Sequence, residues 1–82
     1  MTPLVQHAKQ RAFERYGEHL NRAGYYVLVK MIQNGDSVCI KRVSNDRSIH
    51  LVDGKVAVYS RRRHKIVTFL PPNCREMTHF IQ

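Results

Sequence analysis

The spacing of apolar residues changes at Gly35-Asp36, and this change constrains the fold more than any other feature of the chain. Before it, Leu4, Val5, Ala8, Ala12, Phe13 and Tyr16 recur at steps of three and four, the spacing of one helix face. After it, Ser37 to Val43 alternates Val38 and Ile40 with Cys39 and Lys41, and Ser48 to Val52 alternates Ile49 and Leu51 with His50. Ser44-Asn45-Asp46 separates these two strands, and Asp53-Gly54, a two-residue hairpin signal, joins the second to a third over Lys55 to Ser60. The run Arg61-Arg62-Arg63-His64 leads into a fourth strand, Lys65 to Leu70, which Pro71-Pro72 ends. Strands joined by turns this short must pair antiparallel, so the expected fold is α+β: two N-terminal helices packed on a four-stranded antiparallel sheet.

The helix limits follow from local chemistry. Thr2 is a capping residue, Pro3 suits the first helical position, and Gly17 stands where a left-handed residue ends a helix, giving Pro3 to Tyr16. The run Tyr25 to Ile32 is β-branched and aromatic enough for a buried strand. Asn21 as a cap, Gly35 as a stop, and the spacing of Ala23, Val27 and Met31 with Leu28 and Ile32 favour a second helix over Asn21 to Asn34, which Gly24 weakens. A chain of 82 residues holds one small domain, placed at 1–72, followed by an extension over 73–82.

Fourteen Lys and Arg against six Asp and Glu give a net charge of +8, which favours an anionic partner such as nucleic acid or an acidic protein surface. The cluster Arg61-Arg62-Arg63 reads equally as a solvated turn and as a phosphate-binding one. Cys39 and Cys74 have no Cys-x-x-Cys or His-x-x-x-His companion, so neither metal nor cofactor is expected; Cys39 reads as a half-buried thiol and Cys74 as an exposed one. No apolar run approaches the ~18 to 20 residues that span a bilayer, and the opening residues do not form a secretory signal, so the expected location is cytoplasmic and off the membrane.

Two surfaces carry candidate chemistry. His7, Arg11 and Arg15 fall at i, i+4 and i+8 along one side of the first helix. If Val38, Ile40, Ile49, Leu51, Val56, Val58, Val67 and Phe69 face the helices, then Lys41, His50, Tyr59 and Thr68 share the opposite side of the sheet, either as a functional face or as an ordinary solvent face.

The motif His-Ala-x-x-Arg-Ala-x-x-Arg-Tyr-Gly at His7 to Gly17, the pair Arg47-Ser48 entering a strand, and the ending Ile66-Val67-Thr68-Phe69-Leu70-Pro71 resemble those of small phage and prophage proteins. These are similar in turn to the barnase–EndoU–colicin–RelE superfamily of metal-independent RNases and toxins. The similarity spans about residues 5 to 72. It implies two helices on a curved four-stranded sheet with RNA on the open face, in the host cell cytoplasm if the protein is phage-encoded. His7 and Arg11 match the helix motif, and Thr68 matches the Ser or Thr of the last strand. The apolar run Tyr25 to Ile32 and the ending Glu76 to Gln82 depart from the pattern, leaving room for a binding protein on an enzyme scaffold.

The implied reaction is endoribonucleolytic cleavage by attack of a 2′-hydroxyl on the adjacent phosphorus, with a base, an acid and cations to stabilise the phosphorane. His7 or His50 would transfer protons and Arg11 and Lys41 would hold the phosphate. Tyr59 would stack a base or donate a proton, and Thr68 would bond a phosphate oxygen. Arg15, Arg47, Arg61, Arg62 and Arg63 are further phosphate contacts. The competing expectation is a non-enzymatic phage protein that inhibits an acidic host protein through its cationic surface.

Overall fold

A computed structural model describes residues 3–72; Thr2, Cys74 and the extension over 73–82 lie outside the described residues. The elements are α1 (Pro3–Tyr16), α2 (Arg22–Gln33), β1 (Val38–Arg42), β2 (Arg47–Val52), β3 (Lys55–Ser60) and β4 (Lys65–Leu70). The strands lie side by side in chain order, each antiparallel to the next, with both helices packed on the sheet. Asp53 and Gly54 both have positive φ, 49° and 73°, the paired left-handed geometry that the tightest hairpin requires.

Each helix is fastened to the sheet through a tyrosine hydroxyl. Val5, Ala8 and Ala12 bury one stripe of α1, which lies along β4, and Gly17 ends the helix at φ 67°. At that end the Tyr16 hydroxyl donates to the Leu70 carbonyl (2.6 Å) and accepts from the Val56 N–H (2.9 Å), tying the helix to β3 and β4 together. The N-terminus of α2 is capped by the Asn21 side chain, which accepts from the Gly24 N–H at 2.7 Å. A β-carbon at Gly24 would sit 3.3 Å from that capping oxygen, so glycine there keeps the cap uncrowded.

The second segment is a helix, but its buried stripe is Tyr25, Leu28, Val29 and Ile32, whereas Val27 is exposed. Tyr25 carries the largest of these side chains and its burial sets the rotation of the helix. Its hydroxyl donates to the Ile66 carbonyl at 2.6 Å. Burial pushes that hydroxyl up to about 12, against the opposing effect of the bond, so it remains a donor at ordinary pH.

The expected division of the sheet faces is reversed over β2 and β3, whereas Lys41 and Thr68 lie away from the helices as expected. Ala57, Tyr59, Val52, Ile66 and Phe69 pack with the helices, which places Ser48 and His50 on that side and Ile49, Leu51, Val56 and Val58 on the other. Small Ala57, fully buried opposite Phe69, lets the helices approach the sheet. Two bulges explain the rest. Between Cys39 and Lys41 the register slips, so Cys39 pairs with His50 and Arg42 with Ser48, while Lys41 pairs with Ile49 on the far face. Between Val58 and Tyr59 it slips again, so Ile66 and Phe69, three apart, both face the helices. Phe69 is thus the member of the expected inward set that does pack with the helices.

Two further differences concern single residues. Cys39 is exposed, not half-buried. Lys55 is buried at 5% exposure, and its ammonium pairs with Glu18 in the helix connection and with Asp53 (3.3 Å). Burial alone would lower its proton affinity, but the two carboxylates outweigh this and raise it.

Tyr25→Phe should keep the fold and cost about 1–3 kcal/mol, because it strands a buried carbonyl while removing little apolar contact. Urea unfolding followed by circular dichroism measures this; a destabilisation under about 0.5 kcal/mol would show the bond to be dispensable.

Candidate functional site

The helices leave part of the sheet's inner face open, beside the C-terminal end of α2. Two adjoining cavities lie there, of about 670 and 280 Å³, and they share Arg42, Tyr59 and Arg61. Gln33, Asp46, Arg62 and His64 line the larger, and Ile32, Cys39, Ser48 and His50 the smaller. The cleft is therefore on the helix side of the sheet, not on the face opposite.

His50 is held at both ring nitrogens. The Ser37 hydroxyl lies 3.0 Å from Nδ1 and the Ser48 hydroxyl 2.8 Å from Nε2. The Tyr59 ring stands edge-on to the imidazole at 6.1 Å, and the Tyr59 hydroxyl accepts from the Gln33 side chain at 3.1 Å. Burial pulls His50 below its ordinary proton affinity, so the ring is neutral at physiological pH. A serine hydroxyl either donates or accepts, so the imidazole can gain or lose a proton when a hydroxyl rotates, with no heavy atom moving.

Basic side chains form the wall of the cleft. Arg42 reaches it from the end of β1, and Arg61, Arg62 and His64 come from the turn between β3 and β4. That turn is built on Asp46. The Asp46 carboxylate accepts from the Arg62 N–H (2.7 Å), from the Ser60 hydroxyl (3.0 Å) and from the Arg47 guanidinium (3.0 Å), while its carbonyl accepts from the Arg61 N–H (2.8 Å). The Arg62 amide, followed by Arg47 and Ser60, holds the Asp46 carboxyl down at about 2, so it is ionised whenever the protein is folded near neutrality.

Of the sequence candidates, His50, Tyr59, Arg61 and Arg62 come together here. The others stand elsewhere. His7 is exposed on α1, and Arg11 is engaged with Glu14 at 2.7 Å. Gln10, Arg11 and Arg15 together hold the Glu14 carboxyl below its usual range. Neither His7, Arg11 nor Arg15 lines either cavity. Lys41 and Thr68 belong to the far face of the sheet, Arg47 is tied to Asp46, and Arg63 is exposed outside the cavity walls. Gln33, Ser37, Arg42, Asp46, Ser48 and His64 are site residues that the sequence did not single out. The polar Ser48-x-His50 pair on one strand was the available signal; Arg42 was hidden by the β1 bulge.

Among the described residues no group of His, Cys, Asp and Glu is placed to hold a metal ion. No helix among them is long and apolar enough to cross a membrane. No family model, no curated protein and no solved structure matches the chain.

The His50 environment makes stability depend on pH in one direction. Folding lowers its proton affinity, so stability is complete above the ordinary value of 6.5 and declines as pH falls from there through the folded midpoint. An NMR titration should place the His50 midpoint below 6.5, and His50→Gln should flatten that part of the stability curve; a midpoint at or above 6.5 would contradict the buried, neutral assignment.

Proposed function

We propose that the cleft between β1, β2, β3 and the end of α2 binds the phosphodiester backbone of single-stranded RNA and that His50 gives it metal-independent endoribonuclease activity. The carrying observation is that one partly buried, neutral imidazole shares a cleft with Arg42 and Arg61. With the 2′-hydroxyl in place of the Ser48 hydroxyl at Nε2, the neutral imidazole takes its proton as the oxygen attacks phosphorus, and the guanidiniums hold the phosphate as charge builds on it. His64, in the adjoining cavity, supplies the second imidazole needed to protonate the departing 5′ oxygen. Tyr59 acts in this scheme by fixing the ring of His50, since its own hydroxyl is engaged by Gln33.

The resemblance of the His7 to Gly17 and Ile66 to Pro71 motifs to small phage and prophage proteins, themselves similar to the barnase–EndoU–colicin–RelE superfamily, supports the same reading, as does the net charge of +8. On this reading His7 and Arg11 serve the helix surface or a peripheral RNA contact, and catalysis centres on His50.

The test is cleavage of a labelled single-stranded RNA in EDTA by the purified chain. His50→Ala should lower the rate by about a hundredfold or more, Arg61→Ala should mainly weaken binding, and a 2′-deoxy residue at the cut should block the reaction. Undiminished cleavage by His50→Ala would remove His50 from the mechanism. Salt-sensitive RNA binding without turnover would make the protein a binding module, and stoichiometric capture of one host protein without RNA binding would favour the inhibitor.

A further inference from the structure

Asp46 contributes the carboxylate to a cavity whose basic lining residues are Arg42, Arg61, Arg62 and His64. Beside a bound phosphate its charge is repulsive, so its presence there needs another explanation. Its bonds supply one. Through its carboxylate and carbonyl Asp46 accepts from Ser60, Arg61 and Arg62, and the Ser60 hydroxyl in turn accepts from the Arg63 N–H at 3.2 Å. Ser60 and Arg62 are thus tied directly to this side chain and Arg63 through Ser60, while Arg61 is held by the Asp46 main-chain carbonyl. Ser60 is fully buried and the half-exposed Asp46 carboxylate is faced by Arg47, so its charge is balanced within the protein.

We propose that Asp46 is a positioning residue for anion binding: it holds the turn between β3 and β4 on the single backbone path that sets Arg61 and Arg62 over the cleft. The proposal rests on the phosphate-binding reading given above and adds to it the device that aims the cations. A free arginine cluster would bind phosphate with side chains and backbone ordered at the moment of binding. An anchored turn has that ordering built in before the ligand arrives.

Asp46→Ala separates positioning from charge, because it removes every side-chain acceptor that the turn uses and the two effects act in opposite directions. The substitution removes one negative charge, taking the net charge from +8 to +9, so Coulomb attraction alone would tighten RNA binding. Loss of positioning would weaken it. The probe is a fluorescein-labelled single-stranded dodecauridylate, titrated by anisotropy at several salt concentrations with the full chain. The expected result is about tenfold weaker binding, with a salt dependence shallower by about 0.7 for each phosphate that the variant no longer neutralises. Faster amide exchange at Arg62 should accompany it, with the rest of the fold unchanged by circular dichroism.

Ser60→Ala, which changes no charge, should act in the same direction with smaller effect and decides the matter should Asp46→Ala fail to fold. Equal or tighter binding by the folded variants would overturn the positioning role and leave the phosphate reading standing. A wild-type chain that does not bind the probe would overturn the phosphate reading and this proposal together.

Discussion

The bond from the Tyr25 hydroxyl to the Ile66 carbonyl joins α2 to the strand farthest from β1, and the open cleft follows from that placement. A buried hydroxyl must find an acceptor, and in a regular ladder the neighbouring strand already engages the carbonyls. β4 is the edge of the sheet, so carbonyls on its outer side are free to accept, and the slip in register leaves Val67 between the paired Thr68 and Ile66. With α1 along β4, and α2 over β2 and tied to β4 by Tyr25, the helices cover part of the sheet's inner face. The rest, where β1 and β2 meet the start of the basic turn, is left as cavity.

The chemistry of that opening depends on polar residues facing inward. Ser48 and His50 occupy inward positions of β2 where an ordinary small domain would place aliphatic side chains, and Ser37 comes in from the residue before β1 to complete the pairing of the imidazole. A half-buried histidine with both nitrogens engaged is stable only in a neutral or well-compensated state, and the two serine hydroxyls accommodate either. The surrounding charge is graded. The anionic anchor Asp46 is satisfied within the protein, whereas Arg42, Arg61 and Arg62 reach the cavity walls. Three of the fourteen Lys and Arg thus stand together at the cleft.

Secondary structure was legible because each element has its own local signal. Gly17 and Asp53-Gly54 adopt the left-handed geometry their sequence suggests, and Asn21 caps α2 as its position implies. The ambiguous segment from Tyr25 to Ile32 resolves as helix because capping and spacing act together over its whole length, whereas the β preference of tyrosine and valine expresses mainly packing on a pleated surface. Which face of the sheet meets the helices was not legible. Alternation divides each strand into two sets, and here both sets contain apolar residues: Ile49, Val56 and Val58 in one, Val52, Ala57 and Phe69 in the other. Richness in aliphatics pointed to the first set, and the fit of the helices on small Ala57 selected the second.

The candidate site divides in the same way. His50, Tyr59, Arg61 and Arg62 were visible as a polar or basic residue on an alternating strand or turn, and they do share the cleft. His7 and Arg11 were equally visible on the first helix, but α1 lies along β4 and leaves them outside the cavity walls. Sequence by itself determined the elements, their order, the hairpin turns and the excess of positive charge, because each depends on neighbours in the chain. Only the tertiary structure decided which face is inside, that Arg42 and not Lys41 reaches the site, and that Asp46 anchors the arginine turn. These depend on two one-residue slips in register and on contacts between residues distant in the chain, and a one-residue slip carries a side chain through the sheet to its other face.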